Sequence, residues 1–219
     1  MSRLLGAVLA GGRSQRFGRD KAFASLGGAT LVHRAEHSLR DSVERVVVIA
    51  NEVDAHREAG HAVLPDRIQG IGPLGGLHTA VACAEEEGLD GVAVLATDMP
   101  FVPPSLFQAL ARRLATCDIA APASPGPRGF EPLCAVYHVR CLTAIEAAVE
   151  RGDRTVVSFY PEVEVRIEDL SAVELHGRAE RMFFNINRPG DYAFAGELLA
   201  ELETPGDARP GTGAGRRDR

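Results

Sequence analysis

The sequence predicts an α/β fold, a mainly parallel sheet with helices on both faces, and three observations lead there. Short apolar runs alternate along the chain with segments of helical period. The runs are continuously hydrophobic, as in Val46-Val-Val-Ile-Ala50, which is how strands covered on both faces read. With 219 residues, 45% of them hydrophobic and 25% charged, the chain is large enough for one domain with a sizeable core.

The elements follow in order. Leu4–Ala10 reads as the first strand. Behind Arg3 this run imitates a secretory signal, but it is short and Gly11-Gly12-Arg13 is a poor cleavage site, so a buried strand is the expectation. Next, His33 and His37 share a helix face without the acid arrangement of a zinc peptidase, and are expected to be ordinary surface or packed histidines. Arg45–Ala50 and His61–Leu64 read as strands two and three. Gly70-Ile-Gly-Pro-Leu-Gly-Gly76 leads into a helix whose Leu74, Leu77, Val81 and Ala84 have 3-4-3 spacing. Gly91–Ala96 is a strand, and Pro103-Pro104-Ser105 opens a helix carrying Leu106, Leu110 and Leu114. Asp118–Ala121 is a further strand, followed by a loop at Ser124-Pro-Gly-Pro-Arg-Gly129 and a helix with Leu142, Ile145 and Val149. Phe183-Phe-Asn-Ile-Asn-Arg-Pro189 reads as a last strand that would set Asn185 and Asn187 on one face. The domain is expected over residues 1–203, with 204–219 a disordered Pro/Gly/Arg tail.

A net charge of −6 and the absence of Trp argue against a nucleic-acid partner. No apolar stretch approaches the roughly 18 residues of a membrane span, so a cytoplasmic protein without a membrane partner is expected. The four cysteines, Cys83, Cys117, Cys134 and Cys141, are far apart and are expected to be buried free thiols.

In sheets of this kind ligands bind beyond the carboxyl ends of the strands, which directs attention to the residues after each one. After the first come Gly11 and Gly12, then Arg13, Arg16, Arg19 and Lys21. Glycines let backbone N–H groups approach a ligand and the cations face an anion, so the segment reads as a phosphate cradle. It is neither a Walker loop nor a dinucleotide fingerprint. Of 24 basic residues, one alone is lysine, and it is Lys21. In a chain that uses arginine everywhere else, a compact ammonium at the end of a glycine loop suits a point charge on phosphate oxygens. Asp98 ends the strand Gly91–Ala96 on the ligand side, where one carboxylate with phosphate oxygens and water can hold Mg²⁺. Asp66 follows the third strand, and the glycines of 70–76 offer a helix N-terminus that favours anions. Asn185 and Asn187 could ligate the metal or pin the helix starting at Pro189.

Five segments together resemble the molybdenum cofactor guanylyltransferases, the MobA-like nucleotidyltransferases: Leu9-Ala-Gly-Gly-x-Ser-x-Arg-x-Gly-x-Asp-Lys-Ala22, Gly72-Pro-Leu-Gly-Gly-Leu77, Thr97-Asp-Met-Pro-Phe-Val-Pro103, Glu131-Pro-Leu133 and Phe184-Asn-Ile-Asn187. The resemblance runs from about residue 4 to 202 and rests mainly on the first motif. It implies a three-layer Rossmann-like nucleotidyltransferase fold with a mainly parallel mixed sheet. It also implies transfer of GMP from Mg-GTP to molybdopterin carrying molybdenum, with release of pyrophosphate. Mg²⁺ would be the cofactor, GTP and a molybdopterin-type phosphorylated acceptor the substrates, and molybdoenzymes or chaperones that receive the product the partners. By motif, Leu9, Ala10 and Gly11 would touch the nucleotide, Lys21 its phosphates, Asp66 the nucleotide, and Asp98 both nucleotide and metal. The family's asparagine falls on Asn51 or on Ile49, and Asn187 would be a second metal ligand. Lys21 and Asp98 are thus the implied catalytic pair. The alternatives are a CTP-dependent molybdopterin or sugar-phosphate nucleotidyltransferase and a non-catalytic nucleotide- or cofactor-binding protein. Against the cytidylyl alternative, position 11 is Gly where cytidine-specific relatives tend to carry Ala.

Overall fold

The structure, a computed structural model, describes residues 2–11 and 21–203. Gly12, Arg13, Arg16 and Arg19 of the expected phosphate loop lie outside the described residues, as does the expected tail at 204–219.

One seven-stranded sheet organises the chain. Its strands are β1 (Leu4–Leu9), β4 (Arg45–Ile49), β5 (Val63–Leu64), β6 (Gly91–Ala96), β7 (Ile119–Pro122), β8 (Cys134–His138) and β9 (Val165–Glu168). The spatial order is β5-β4-β1-β6-β8-β7-β9. Neighbours run parallel except at β8, which is antiparallel to both β6 and β7. The sheet is therefore mixed and mainly parallel, as expected. A separate two-stranded hairpin, β2 (Ser25–Leu26) with β3 (Ala29–Thr30), follows a 3-10 turn at Lys21–Phe23.

The continuous apolar runs are explained by two-sided burial: every residue of β1 and of β6 is buried. Helices α1 (Leu31–Arg40) and α4 (Pro104–Arg113) cover one face, and α3 (Pro73–Glu86) and α5 (Cys141–Glu150) the other. α1 starts where the Thr30 side chain accepts from the His33 N–H, satisfying one of the donors a helix start leaves open. α3 is buried without interruption from Leu74 to Ala84, so it shows no amphipathic stripe. Its glycines let it lie against the sheet: a Cβ on Gly76 would be 3.2 Å from Leu9 Cδ2 and 3.7 Å from Ile49 Cγ2. The short α2 (Val53–Glu58), α6 (Leu170–Val173) and α7 (Ala179–Met182) and the terminal α8 (Pro189–Glu203) complete the described chain. All four cysteines are buried and free, as expected. Among the described residues no helix is long and apolar enough to cross a membrane.

Three expectations change. The segment 183–189 is not a strand: Phe183 caps α7, α8 begins at Pro189, and Ile186 N–H to Asp98 C=O, 2.9 Å, is a single bond rather than a ladder. The shared face predicted for Asn185 and Asn187 goes with it. Conversely, β8, β9 and the hairpin strands β2 and β3 form where the sequence leads one to expect no strand. β9 alternates Val165, Arg166, Ile167, Glu168 at the sheet edge, with Arg166 and Ile167 exposed, and carries too little apolar signal to stand out.

Candidate active site

The chain leaves β1 towards β4 and β5, then returns to place β6 on the other side of β1. That reversal opens a crevice at the carboxyl ends of β1 and β6, the position where doubly wound sheets bind ligands. Leu9 and Ala10 end β1 with their own backbones tied down. Ala10 N–H donates to Ile49 C=O at 3.0 Å, and Thr97 N–H donates to Leu9 C=O at 3.3 Å. Both side chains are buried, whereas Gly11 is exposed. A Cβ on Gly11 would meet no described atom within 4 Å, and its backbone is not in the left-handed region. Among the described residues neither packing nor strain therefore asks for glycine there.

Lys21 and Asp98 come together across this crevice. Burial lowers the Lys21 ammonium from its ordinary pKa, and the charges of Asp98 and Asp191 oppose that shift. Burial raises the Asp98 carboxyl, with Lys21 the main opposing influence. Asp98 is held at its own carbonyl by the Ile186 N–H. Asp98 does not cap the following helix, since Pro103 is the residue before α4.

Asp66 approaches from the next crossover. Its Oδ2 accepts from Asn51 Nδ2 at 2.9 Å, and its N–H donates to Asn51 Oδ1 at 3.3 Å. Burial raises the Asp66 pKa and the Asn51 hydrogen bond works against that. Arg67 N–H donates to Thr79 Oγ1 at 2.8 Å, which pins this loop on α3. Gly75 and Gly76 form the contact: a Cβ on Gly75 would be 2.5 Å from Ile68 C=O, and one on Gly76 would be 3.6 Å from Asp66 Oδ1. Of the two candidate positions for the family's asparagine, Asn51 is exposed and bonded to Asp66, while Ile49 is buried in the core.

Asn185 turns back on the chain, its Nδ2 donating to Phe183 C=O at 3.0 Å. Asn187 is exposed and one residue from the Ile186–Asp98 contact. The helix-pinning role falls to neither side chain. Asp191 Oδ2 accepts the Asn187 and Arg188 N–H groups at 2.7 and 2.8 Å, and those two bonds lower its pKa. His33 and His37 are exposed and outside this crevice, in keeping with the expectation of ordinary histidines.

Two acids in the site carried no role in the sequence reading. Asp191 is near enough to Lys21 for their charges to interact. Glu131 is raised chiefly by burial, with the Ser124 hydrogen bond lowering it and the charge of Asp98 raising it further. Glu131 belongs to a quoted motif, but its proximity to Asp98 depends on the pairing of β8 with β6, which no local pattern reveals. Among the described residues no three His, Cys, Asp or Glu side chains are arranged to hold a metal ion by themselves.

Comparison with known proteins identifies the family. The family profile described as a MobA-like NTP transferase domain matches residues 6–165. A probable molybdenum cofactor guanylyltransferase from Pelotomaculum thermopropionicum is 32% identical over 206 residues, covering 94% of this chain and 98% of its own. One from Opitutus terrae is 37% identical over 192 residues, covering 87% and 93%. The crystal structure of molybdopterin-guanine dinucleotide biosynthesis protein A from Archaeoglobus fulgidus superposes with a TM-score of 0.75 at 24% identity, over 90% of this chain and 100% of that one. With the strand-end site, the matched profile and relatives aligned over nearly their whole length, the chain belongs to the MobA-like nucleotidyltransferase family and is an enzyme of that class.

Proposed function

We propose that this enzyme transfers GMP from GTP to the terminal phosphate of molybdopterin carrying molybdenum, in the cytoplasm, forming a guanine dinucleotide and pyrophosphate. The observation that carries the reading is the juxtaposition of Lys21, the single lysine, with the strand-end carboxylate Asp98 in the β1–β6 crevice. The names borne by the relatives support the acceptor and the base.

In the reaction an acceptor phosphate oxygen forms a bond to the α-phosphorus while the bond from that phosphorus to the bridging oxygen of the leaving pyrophosphate breaks. The acceptor oxygen is already anionic, so no general base is required, and the rate must come from positioning and charge neutralisation. Leu9, Ala10, Gly11 and the Asn51–Asp66 pair line the nucleotide side, with Asn51 fixing the Asp66 carboxylate. Lys21 offsets charge that builds on the departing pyrophosphate.

The residues present suit Mg²⁺: Asp98 would supply one carboxylate, Asn187, next to the Ile186 whose N–H bonds the Asp98 carbonyl, could supply a second oxygen, and phosphate oxygens and water would take the remaining positions. When bound, the ion supplies Lewis-acid neutralisation of the phosphates. Product would pass to molybdoenzymes or to chaperones that serve them.

The test is magnesium-dependent pyrophosphate release with GTP, CTP, ATP and UTP in competition over a molybdopterin acceptor. Preference for GTP is expected, and a preference for CTP would overturn the base assignment. Nucleotide binding without pyrophosphate release would instead indicate a carrier. Lys21→Ala should lower kcat about a hundredfold or more, by analogy with loss of one oriented charge-stabilising donor.

A further inference from the structure

We propose that Glu131 is a positioning residue for the divalent cation at Asp98, accepting hydrogen bonds from the water molecules that the cation keeps. The inference rests on the reading of Asp98 as the cation's protein ligand.

The antiparallel register of β6 with β8 runs from Gly91 opposite His138 to Leu95 opposite Cys134. It continues at Ala96, whose N–H donates to Leu133 C=O at 2.9 Å. Beyond that bond both chains turn: Met99 N–H donates to Ala96 C=O at 3.4 Å, and Cys134 N–H to Glu131 C=O at 3.2 Å. Asp98, two residues past Ala96, and Glu131, two before Leu133, thus leave the same end of the β6–β8 pair, where the charge of Asp98 acts on the Glu131 carboxyl.

Glu131 is held through its backbone and through one carboxylate oxygen. Its N–H donates to Pro122 C=O at 3.1 Å, and Ser124 Oγ, buried, donates to Oε1 at 2.8 Å. The loop closes on it so tightly that a Cβ on Gly126 would be 3.3 Å from Oε1. The adjoining Pro132 carbonyl accepts from Tyr137 Oη at 2.5 Å. With Oε1 engaged by Ser124, Oε2 would be the oxygen that accepts from water, on a carboxyl that the charge of Arg128 also reaches.

The charges of Asp98 and Glu131 repel; Lys21 offsets part of this at Asp98 and Arg128 part at Glu131, and a divalent cation at Asp98 would offset more. Mg²⁺ sheds water reluctantly and usually retains several molecules, which need acceptors. Outer acceptors of this kind typically change metal affinity about 10–100-fold when removed.

The experiment titrates Mn²⁺, as a paramagnetic stand-in for Mg²⁺, into the full-length protein with a GTP analogue that cannot be cleaved between its α- and β-phosphorus atoms. Free Mn²⁺ is read by electron paramagnetic resonance. Glu131→Gln keeps the shape of the side chain, and its amide oxygen can still accept from Ser124. It is expected to raise the Mn²⁺ dissociation constant about 10–100-fold and to leave metal-free binding of the analogue unchanged. Ser124→Ala, which frees Glu131 without removing its charge, should weaken Mn²⁺ binding less. Unchanged Mn²⁺ affinity in Glu131→Gln overturns the proposal. So does an equal loss of metal-free analogue binding, which would place Glu131 on the nucleotide. Asp98→Asn separates the two levels. If it loses Mn²⁺ and Glu131→Gln does not, the cation site stands and the role of Glu131 falls. If Asp98→Asn binds Mn²⁺ as the wild type does, the metal reading of Asp98 falls and this inference with it. Thermal unfolding of each variant identifies one that has simply failed to fold.

Discussion

Gly75 and Gly76 are adjacent in the first turn of α3, yet a methyl group on each should have opposite consequences. On Gly75 the new Cβ would be 2.5 Å from the Ile68 carbonyl oxygen, well inside contact distance of a backbone atom that cannot rotate away. Gly75→Ala should therefore displace the loop behind Asp66 and destabilise the fold by about 1–3 kcal/mol, the usual cost of overpacking. For a chain of this size that corresponds to a fall in Tm of roughly 2–12 °C. On Gly76 the nearest atoms would be Leu9 Cδ2 at 3.2 Å and Asp66 Oδ1 at 3.6 Å, both side-chain termini. A small adjustment of Leu9 accommodates the methyl, and replacing a helical Gly by Ala returns about 1 kcal/mol, so Gly76→Ala should keep its Tm to within a few degrees. That methyl would nevertheless project between Leu9 and Asp66, two residues assigned to the nucleotide. A loss of about 1.4–2.8 kcal/mol in binding is expected, a 10–100-fold rise in the dissociation constant for GTP. Differential scanning fluorimetry and nucleotide titration on the same samples measure both quantities. A Gly76→Ala protein with wild-type stability and wild-type GTP affinity would refute the claim that nucleotide passes over this part of α3.

Three other outcomes follow from the same geometry. Asp98 has its folded-state pKa raised by burial, so its contribution to stability is complete below the ordinary carboxylate pKa of 3.8 and is lost as pH rises through the raised value. Asp98→Asn should accordingly unfold at a higher temperature than wild type near neutral pH, with the gap closing in acid, while pyrophosphate release is abolished; lower stability at pH 7 would contradict the burial argument. Gly11→Ala should fold normally, because no described atom lies within 4 Å of the new Cβ, but should raise KM for GTP about tenfold if the open space receives the nucleotide. Asn51→Ala removes both hydrogen bonds to Asp66 and should raise KM for GTP about tenfold with less effect on kcat, since it loosens binding rather than a charge that develops during transfer. Steady-state kinetics check the last two.

Much of the site was legible because its signals are local. Gly11 and Lys21 are ten positions apart in sequence, and Asp98 comes two residues after a six-residue buried strand, so a chain read from left to right displays both the glycine–lysine segment and the carboxylate beyond the strand. The segment 183–189 misled because Phe183, Phe184 and Ile186 are apolar for another reason. Phe183 and Ile186 are buried in separate hydrophobic clusters, with Phe184 packed against the second, and Ile186 makes one hydrogen bond to Asp98.

What the sequence determined alone is the α/β alternation, the order of the parallel strands' carboxyl-end loops, and the chemistry those loops can offer. Burial on both faces writes itself into continuous apolar runs, and a solitary lysine is visible without coordinates. Tertiary structure decided which loops meet. It reversed β8 beside β6 and thereby set the charge of Asp98 on Glu131, locked Asn51 onto Asp66 across 15 residues, and left Asp191 near enough to Lys21 for their charges to interact. Those pairings depend on strand register and on the packing of α3 and α8, which are settled by contacts between distant segments and leave no periodic trace in the chain.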